Sequence, residues 1–276
     1  MVNGYNLLRN ENMKSVSSQL TSDWKTVNWV LTDVDDTLTW EGKLPPETLI
    51  ALNNLQQAGI KVVAVTGACA GWCDHIAQLW PVDAVLGENG AFILEKQEGY
   101  LTIRADVHLD KLKQQQQKLK LQVLDILKDY PDLNLTLDQS YRLCEVSIDI
   151  GQNRPRVEDA IVEEITSKIH QLGAHATASS IHINAWYGEH SKKVTSLRYL
   201  KEKGLTDAAI SDSCCYVGDS LNDQYMFATL PKSVGVANIA HYCDKLLSHP
   251  AIVMTKSGGY GFAEFAQKLL EIKAQK

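Results

Sequence analysis

The sequence predicts an α/β protein: a parallel-sheet core interrupted by an inserted α+β domain. Three observations predict it. Short apolar runs alternate with helical stretches near both ends of the 276-residue chain. The middle third has a different grammar, with long amphipathic stretches and paired strand-like runs. Polar groups, mostly carboxylates, follow the apolar runs at their carboxyl ends. Strand–helix–strand alternation implies right-handed crossovers and a parallel sheet. Ligands of open α/β sheets bind beyond the carboxyl ends of the strands.

Bulk numbers set limits. At ~150 residues per domain the length suggests two domains. Apolar residues make up 45%, enough for a core, and the net charge of −6 argues against a nucleic-acid partner. No apolar run approaches ~18 residues, so no membrane span is expected. Residues 1–26 read as a polar leader without the apolar segment of a signal peptide. Six scattered cysteines (Cys69, Cys73, Cys144, Cys214, Cys215, Cys243) then fit thiols in a reducing cytoplasm.

The first strand lies in "VNWVLTDVDDTLTW", residues 27–40, and runs straight into Asp33, Asp35 and Asp36. Crowded like charges repel, and burying them unpaired costs several kcal/mol. A metal ion or a solvated turn must compensate. "PPETLIALNNLQQAG" (45–59) reads as a helix, with Pro46 in its first turn, Gly59 past its end and a Leu49–Leu52–Leu55 stripe. Strands follow at 61–66 and 82–86, with the helix "AGWCDHIAQLWP" (70–81) between them. Cys69 and Cys73 are expected to lie on a packed helix face.

The middle predicts a long helix over 106–130 with a glutamine-rich exposed face, and an alternating, half-buried strand over 142–150. An amphipathic helix follows over 154–173, then a strand pair over 174–186. The inserted domain therefore spans 97–188, between core halves 27–96 and 189–276. Core grammar returns with the strand "CCYVGDS" (214–220), the helix "LNDQYMFATL", the strands "SVGVAN" and "AIVMT", and the helix "GFAEFAQKLLEIKA". "GGYGF" (258–262) reads as a turn, and no GxxxxGK[ST] motif of a Walker-type NTPase occurs.

Three strand ends thus bring Asp33 with Asp35, Thr66 with Gly67, and Asp219 with Asp223 to one rim. Oxygen ligands from several loops suit a hard cation, and Mg²⁺ takes one or two carboxylates plus waters and a phosphate oxygen.

The same residues carry a resemblance. Asp33-Val-Asp35-Asp36-Thr37, Thr66-Gly67, a lysine opening the helix "SKKVTSLRYL" and "GDSLND" (218–223) match, in order, the four motifs of the haloacid dehalogenase superfamily of phosphatases. The match covers residues ~27–95 and ~188–265. The insert between the second and third motifs resembles that family's larger α/β cap (subfamily IIB), found in sucrose-phosphate and mannosyl-3-phosphoglycerate phosphatases and in phosphomannomutase. The resemblance implies a Rossmann-like core and roles for matching positions. Asp33 would be the nucleophile that forms an aspartyl-phosphate. Asp35 would be general acid and then base, its pKa raised from ~3.9 by crowding. Mg²⁺ would lie among Asp33, the Asp35 carbonyl, Asp219 and Asp223. Thr66, Gly67 and Asn222 would hold the phosphate, with Asn222 and Asp223 also orienting the lysine. Lys192 and Lys193 compete for the lysine role; aligning Leu197 and Leu200 with the helix stripe favours Lys193. Asp36 is expected to be a turn residue, and for Asp223 the competing reading is mere support of a helix start.

Substrate contacts are expected from the cap, where His182 and Asn184 share one face of a strand, and from Arg142; ordinary sheet surface is the competing reading for these three. One position departs from the family: Ala68 stands where many sugar-phosphate phosphatases carry arginine. The implied activity is a Mg²⁺-dependent phosphomonoester hydrolase acting on a small phosphorylated metabolite, a sugar or polyol phosphate, as monomer or homodimer. A phosphomutase or a non-catalytic sugar-phosphate-binding regulator are the alternatives. Cap opening, hinged near 95–100 and 186–191, is expected to gate turnover.

Overall fold

The computed structural model describes residues 19–275. Most of the expected leader, residues 1–18, lies outside the described residues. The chain forms, in order, β1 (Trp29–Thr32), α1 (Pro46–Gln57), β2 (Lys61–Val65), α2 (Ala70–Leu79), β3 (Ala84–Gly87), β4 (Phe92–Gln97) and β5 (Tyr100–Arg104). The insert contributes α3 (Leu109–Ile126), β6 (Val146–Asp149), α4 (Asp159–Gln171), β7 (His175–Ala178) and β8 (His182–Trp186). The second core half adds α5 (Lys192–Glu202), α6 (Asp207–Ser213), β9 (Cys214–Gly218), α7 (Gln224–Phe227), β10 (Lys232–Gly235), β11 (Ile252–Val253) and α8 (Gly258–Ala274).

The core sheet has the order β11-β10-β9-β1-β2-β3-β4-β5. The six strands from β11 to β3 pair in parallel; β4 and β5 extend the sheet antiparallel. Alternate residues of each central strand feed opposite faces. Val30, Val62 and Val85 pack with α1, α2 and α8, whereas Leu31, Val63 and Leu86 pack with α5, α6 and α7. Both faces are covered, so these strands read as unbroken apolar runs. This is the α/β architecture expected from the sequence.

Several boundaries move. β5 was expected to belong to the insert, yet a turn at Glu98 (φ 51) and Gly99 (φ 87) folds it back onto β4, making it the last core strand. The insert therefore begins after residue 104, and residues 95–100, expected as a hinge, lie inside this hairpin. Of the expected leader, Trp24 is buried against Phe265, with ring centroids 6.1 Å apart, so the core begins before residue 27. The expected helix after residue 220 is one 3-10 turn, Leu221–Asp223, followed by the four-residue α7. On α1 the buried stripe is Thr48, Ala51, Leu52 and Leu55, with Leu49 outside it. "GGYGF" forms the first turn of α8, because Gly258 (φ +51) lies so close to the loop after β1 that a Cβ would stand 2.5 Å from the Thr39 carbonyl.

The insert is a three-stranded antiparallel sheet, β6-β8-β7. Its apolar face holds Val146, Ile148 and Ile183 with Leu119 and Val123 of α3 and Ile165 and Ile169 of α4. The other face carries Ser147, Asp149, His182 and Asn184, all buried. The half-buried strand predicted over 142–150 is thus buried on both faces, because the core domain covers the polar side. No helix among the described residues is long and apolar enough to cross a membrane.

Candidate active site

The loop after β1 begins as a strand extension: the Asp33 amide donates to the Val217 carbonyl of β9 at 2.9 Å. The chain then turns through Asp36 (φ 55), whose amide donates to Thr39 Oγ1. The turn leaves Asp33 4% exposed and Asp35 half-buried. From β9, Asp219 arrives 2% exposed. Carboxylate oxygens of Asp33, Asp219 and Asp223 all lie within 4.8 Å of one another.

Lys192 lies among them. Its Nζ is 2.7 Å from Asp33 Oδ1 and 2.8 Å from Asp223 Oδ1. This corrects the preference for Lys193, which is exposed. The reason is helix geometry: the buried face of α5 is Lys192, Thr195, Ser196 and Tyr199, at spacings of three and four. Thr195 Oγ1 on that face donates to the Gly90 carbonyl at 2.8 Å. Lys193 follows the Leu197 side, which is only half-buried. Ser191 caps the helix, accepting from the Val194 amide, and so aims its first turn at the site.

Electrostatics set the charge states. Burial pushes the Asp33 carboxyl up to about 7 even though Lys192 pulls it down, and Asp223 and Asp35 add to the rise. Burial raises Asp35 to about 6, with the Asp36 charge contributing next. Asp219 is held well above the carboxylate range by burial, then by Asp223 and Asp33. Burial works against the Lys192 charge, but Asp223 and Asp33 outweigh it and hold the ammonium above its ordinary range.

Hydrogen bonds separate ligand from support. Asp223 accepts from Lys192 and the Tyr216 hydroxyl on Oδ1, and from the Asp219 and Ser220 amides on Oδ2. Both its oxygens accept two donors each, so it orients Lys192 and the loop after β9. Among the described residues the Asp33 carboxylate accepts only from Lys192, and the Asp35 carboxylate from nothing. Asp219 accepts from Asn238 Nδ2 at 2.9 Å and, at 3.3 Å, from Thr37. Asp33 and Asp219, both buried and both raised chiefly by that burial, form an all-oxygen donor set that fits a hard divalent cation.

Thr66 is buried, its Oγ1 accepting from the Ala68 amide, which shapes the turn after β2. The Gly67 carbonyl accepts from Arg142 Nη1 at 2.9 Å and Asn184 Nδ2 at 3.1 Å. A Cβ on Gly67 would stand 2.4 Å from Asn184 Nδ2, so only glycine admits the insert this closely. Asn184 thus holds the turn that carries Thr66 and Gly67. Asn222 is half-buried beside Lys192, its Oδ1 accepting from Ser220 Oγ. His182 lies on the Asp35 side instead, its Nε2 2.8 Å from Gln152 Oε1.

Sequence reasoning missed four contributors. Asn238, at the carboxyl end of β10, holds Asp219, the Asp36 carbonyl and the Gly258 amide; the strand-end rule that found Asp219 would have found it. Tyr216 is hidden in an apolar strand. Glu88 and Asn89 sit in a turn of positive φ (44° and 52°) that costs ~1–2 kcal/mol per residue. Glu88 accepts from the Leu143, Cys144 and Glu145 amides of the insert, and Asn89 donates to Glu145. The strain is tied to the join between core and cap.

Comparisons with known proteins agree with this geometry. Residues 30–128 match a family model described as haloacid dehalogenase-like hydrolase, which bears out the resemblance read from the motifs. No curated protein sequence matches the chain. A Thermoplasma acidophilum protein, number 0175, superposes with TM-score 0.69 at 16% identity, covering 90% of this chain and 99% of its own. The sucrose-phosphatase of Synechocystis sp., solved with sucrose and phosphate, superposes with TM-score 0.64 at 14% identity, covering 88% and 98%. A phosphatase of the haloalkanoate superfamily from Bacteroides thetaiotaomicron superposes with TM-score 0.60 at 15% identity, covering 90% and 96%. At such identities the likeness is one of fold: a haloacid dehalogenase-like core with its cap.

Proposed function

We propose that this protein is a Mg²⁺-dependent phosphomonoester hydrolase that works through an aspartyl-phosphate on Asp33 and acts on a small sugar or polyol phosphate. One observation carries the reading. A buried, open-faced carboxylate, Asp33, is paired with a buried lysine, and a second carboxylate two residues on is raised to about 6. That is the constellation of nucleophile, charge stabiliser and proton donor that phosphoryl transfer needs.

Asp33 attacks phosphorus. Lys192, fixed by Asp223, faces the developing charge on the phosphoryl oxygens. Thr66, the Gly67 amide and Asn222 orient those oxygens. Asp35 donates its proton to the leaving alkoxide, then takes one from the water that opens the acyl phosphate. Mg²⁺ would be held by Asp33, Asp219 and the Asp35 carbonyl, and when bound it neutralises charge on the phosphoryl oxygens. Asp223 supports this set from behind. With Asp33 4% exposed, substrate reaches it through movement of the cap about residues 105–108 and 187–191. Six free, buried cysteines suit a reducing compartment, the cytoplasm.

The test is phosphate release from a panel of phosphorylated sugars, polyols and small acids, with Mg²⁺ or EDTA, for wild type and Asp33→Asn. Metal-dependent release lost in the variant supports the reading. Wild type that releases no phosphate from any ester, or a variant that keeps full activity, sinks it.

A further inference from the structure

One cavity links the buried lysine to the surface while the cap rests on the core. It has a volume of about 520 Å³ and runs under β7. Lys192 and Asn222 border its inner end; His175, Lys193 and Tyr225 border it farther out. Lys192 is 4% exposed, whereas those three outer residues are exposed. The volume lies within the ~300–1,000 Å³ usual for small-molecule sites, which leaves room for an ion of phosphate size.

The lining is chemically one-sided. The chain has 33 Asp and Glu against 27 Lys and Arg, yet no described acid borders this cavity. Asp159 and Glu163 border the cavity next to it, and Asp35 and Asp138 the one beside Trp72. At the inner end the Lys192 ammonium gives one N–H to Asp33 and one to Asp223, and it has a third. Asn222 Oδ1 accepts from Ser220 Oγ, and among the described residues its Nδ2 donates to nothing. Farther out, Thr177 of β7 stands opposite Asn184 of β8, on the face of the cap sheet that is turned to the core. A wall of donors without fixed negative charge is a path for an anion through a protein whose net charge is −6.

The proposed reaction delivers such an anion at its end. The alcohol departs first, with the Asp35 proton. Water then adds to phosphorus as the bond to the Asp33 oxygen breaks, and one water proton goes to Asp35. Inorganic phosphate is left beside Lys192 and Asn222, at the inner end of the cavity. The path is present with the Glu88 and Arg142 contacts between cap and core intact. We infer that this cavity is the exit for inorganic phosphate, which passes Thr177 and Lys193 under β7 without the cap opening. The inference rests on the phosphatase reading above. Thr177 and Lys193 meet the product in transit and take no part in the bond changes.

A passage changes rates and leaves equilibria alone, which separates it from a binding site. Phosphorus-31 NMR of inorganic phosphate, titrated into Mg²⁺-loaded protein, reads both the dissociation constant and the exchange rate without turnover. Thr177→Glu should slow exchange ~10-fold relative to the isosteric Thr177→Gln at low salt, and the gap should close near ~1 M salt. Thr177→Trp, which fills the passage, should slow exchange at least as much and leave the dissociation constant at its wild-type value. Lys193→Glu, on the exposed helix surface, should act in the direction of Thr177→Glu and guards against a strand variant that fails to fold. Wild-type exchange rates in both Thr177→Trp and Lys193→Glu overturn the inference. So does a dissociation constant that rises in Thr177→Trp, or a wild type that binds no phosphate. Hydrolysis of sugar phosphates separates the two failures. Wild type that hydrolyses them while exchange ignores these variants keeps the activity and loses the exit. Wild type that hydrolyses no ester but shows the slowed exchange keeps the passage and loses the activity.

Discussion

Two buried clusters in this molecule have the same formula. In one, Asp33, Asp219 and Asp223 surround Lys192; in the other, Glu88, Asp138 and Glu145 surround Arg142. The second lies where the cap meets the core. Glu88 accepts from the amides of Ala70, Leu143, Cys144 and Glu145, Asp138 takes two donors from Arg142, and Glu145 takes Asn89 and Arg142. Every carboxylate oxygen there has a donor. In the first cluster Asp219 and Asp223 also have a donor on each oxygen, while Asp33 has a single donor, Lys192, and keeps its other oxygen open. Charge count and burial do not distinguish the two clusters; what distinguishes them is the one oxygen of Asp33 that has no donor.

If the difference is real, the two cations should fail differently. Lys192→Met should lower kcat for phosphate release by ~10³-fold, about 4 kcal/mol of transition-state stabilisation, as loss of a preorganised charge does. A loss under ~10-fold would break the comparison. Arg142→Met should instead cost ~3 kcal/mol of folding stability, because two buried carboxylates, Glu88 and Glu145, and the half-buried Asp138 lose their cation. Denaturant unfolding checks this. Asp219→Asn sharpens the contrast: in metal-free protein its midpoint should stay level or rise, since one crowded charge is removed.

The cap side should also show its burial in pH dependence. His190 is stacked on Trp186 at 5.4 Å, and burial, then the His175 charge, lowers its pKa from 6.5 to about 4. Above pH 6.5 it is neutral folded and unfolded, and contributes nothing. As pH falls below 6.5 the unfolded chain binds a proton that the folded one refuses, so stability is lost, by about 2 kcal/mol at pH 5, until the loss levels off below pH 4. The wild-type-minus-His190→Gln difference in unfolding free energy should follow this curve; a flat difference would show that the ring titrates freely. The smallest effect belongs to Lys193→Met, expected within ~2-fold of wild-type kcat because that side chain points to solvent.

Much of this was legible in the chain. The strand–helix alternation, the carboxylates at the ends of β1 and β9, and the Thr66-Gly67 turn are local patterns, each carried by a few adjacent residues. The cap's polar face was legible at β8, where His182 and Asn184 alternate with Ile183. Harder to read was anything that depends on a second surface. The strand 142–150 looked half-exposed because nothing in its own residues says that the core will cover it.

The sequence by itself determined the fold class and the rim on which the acids converge, because period and strand-end position are properties of one element at a time. Only the tertiary structure decided which lysine meets Asp33, that β5 joins the core, that Asp223 holds Lys192 and the loop after β9, and that Arg142 joins Asp138, Glu145 and the Gly67 carbonyl. Lys192 and Lys193 are chemically equal neighbours about 100° apart on a helix. Which of them meets Asp33 depends on which face of α5 the sheet buries, and that face is chosen by packing over a hundred residues away in the chain.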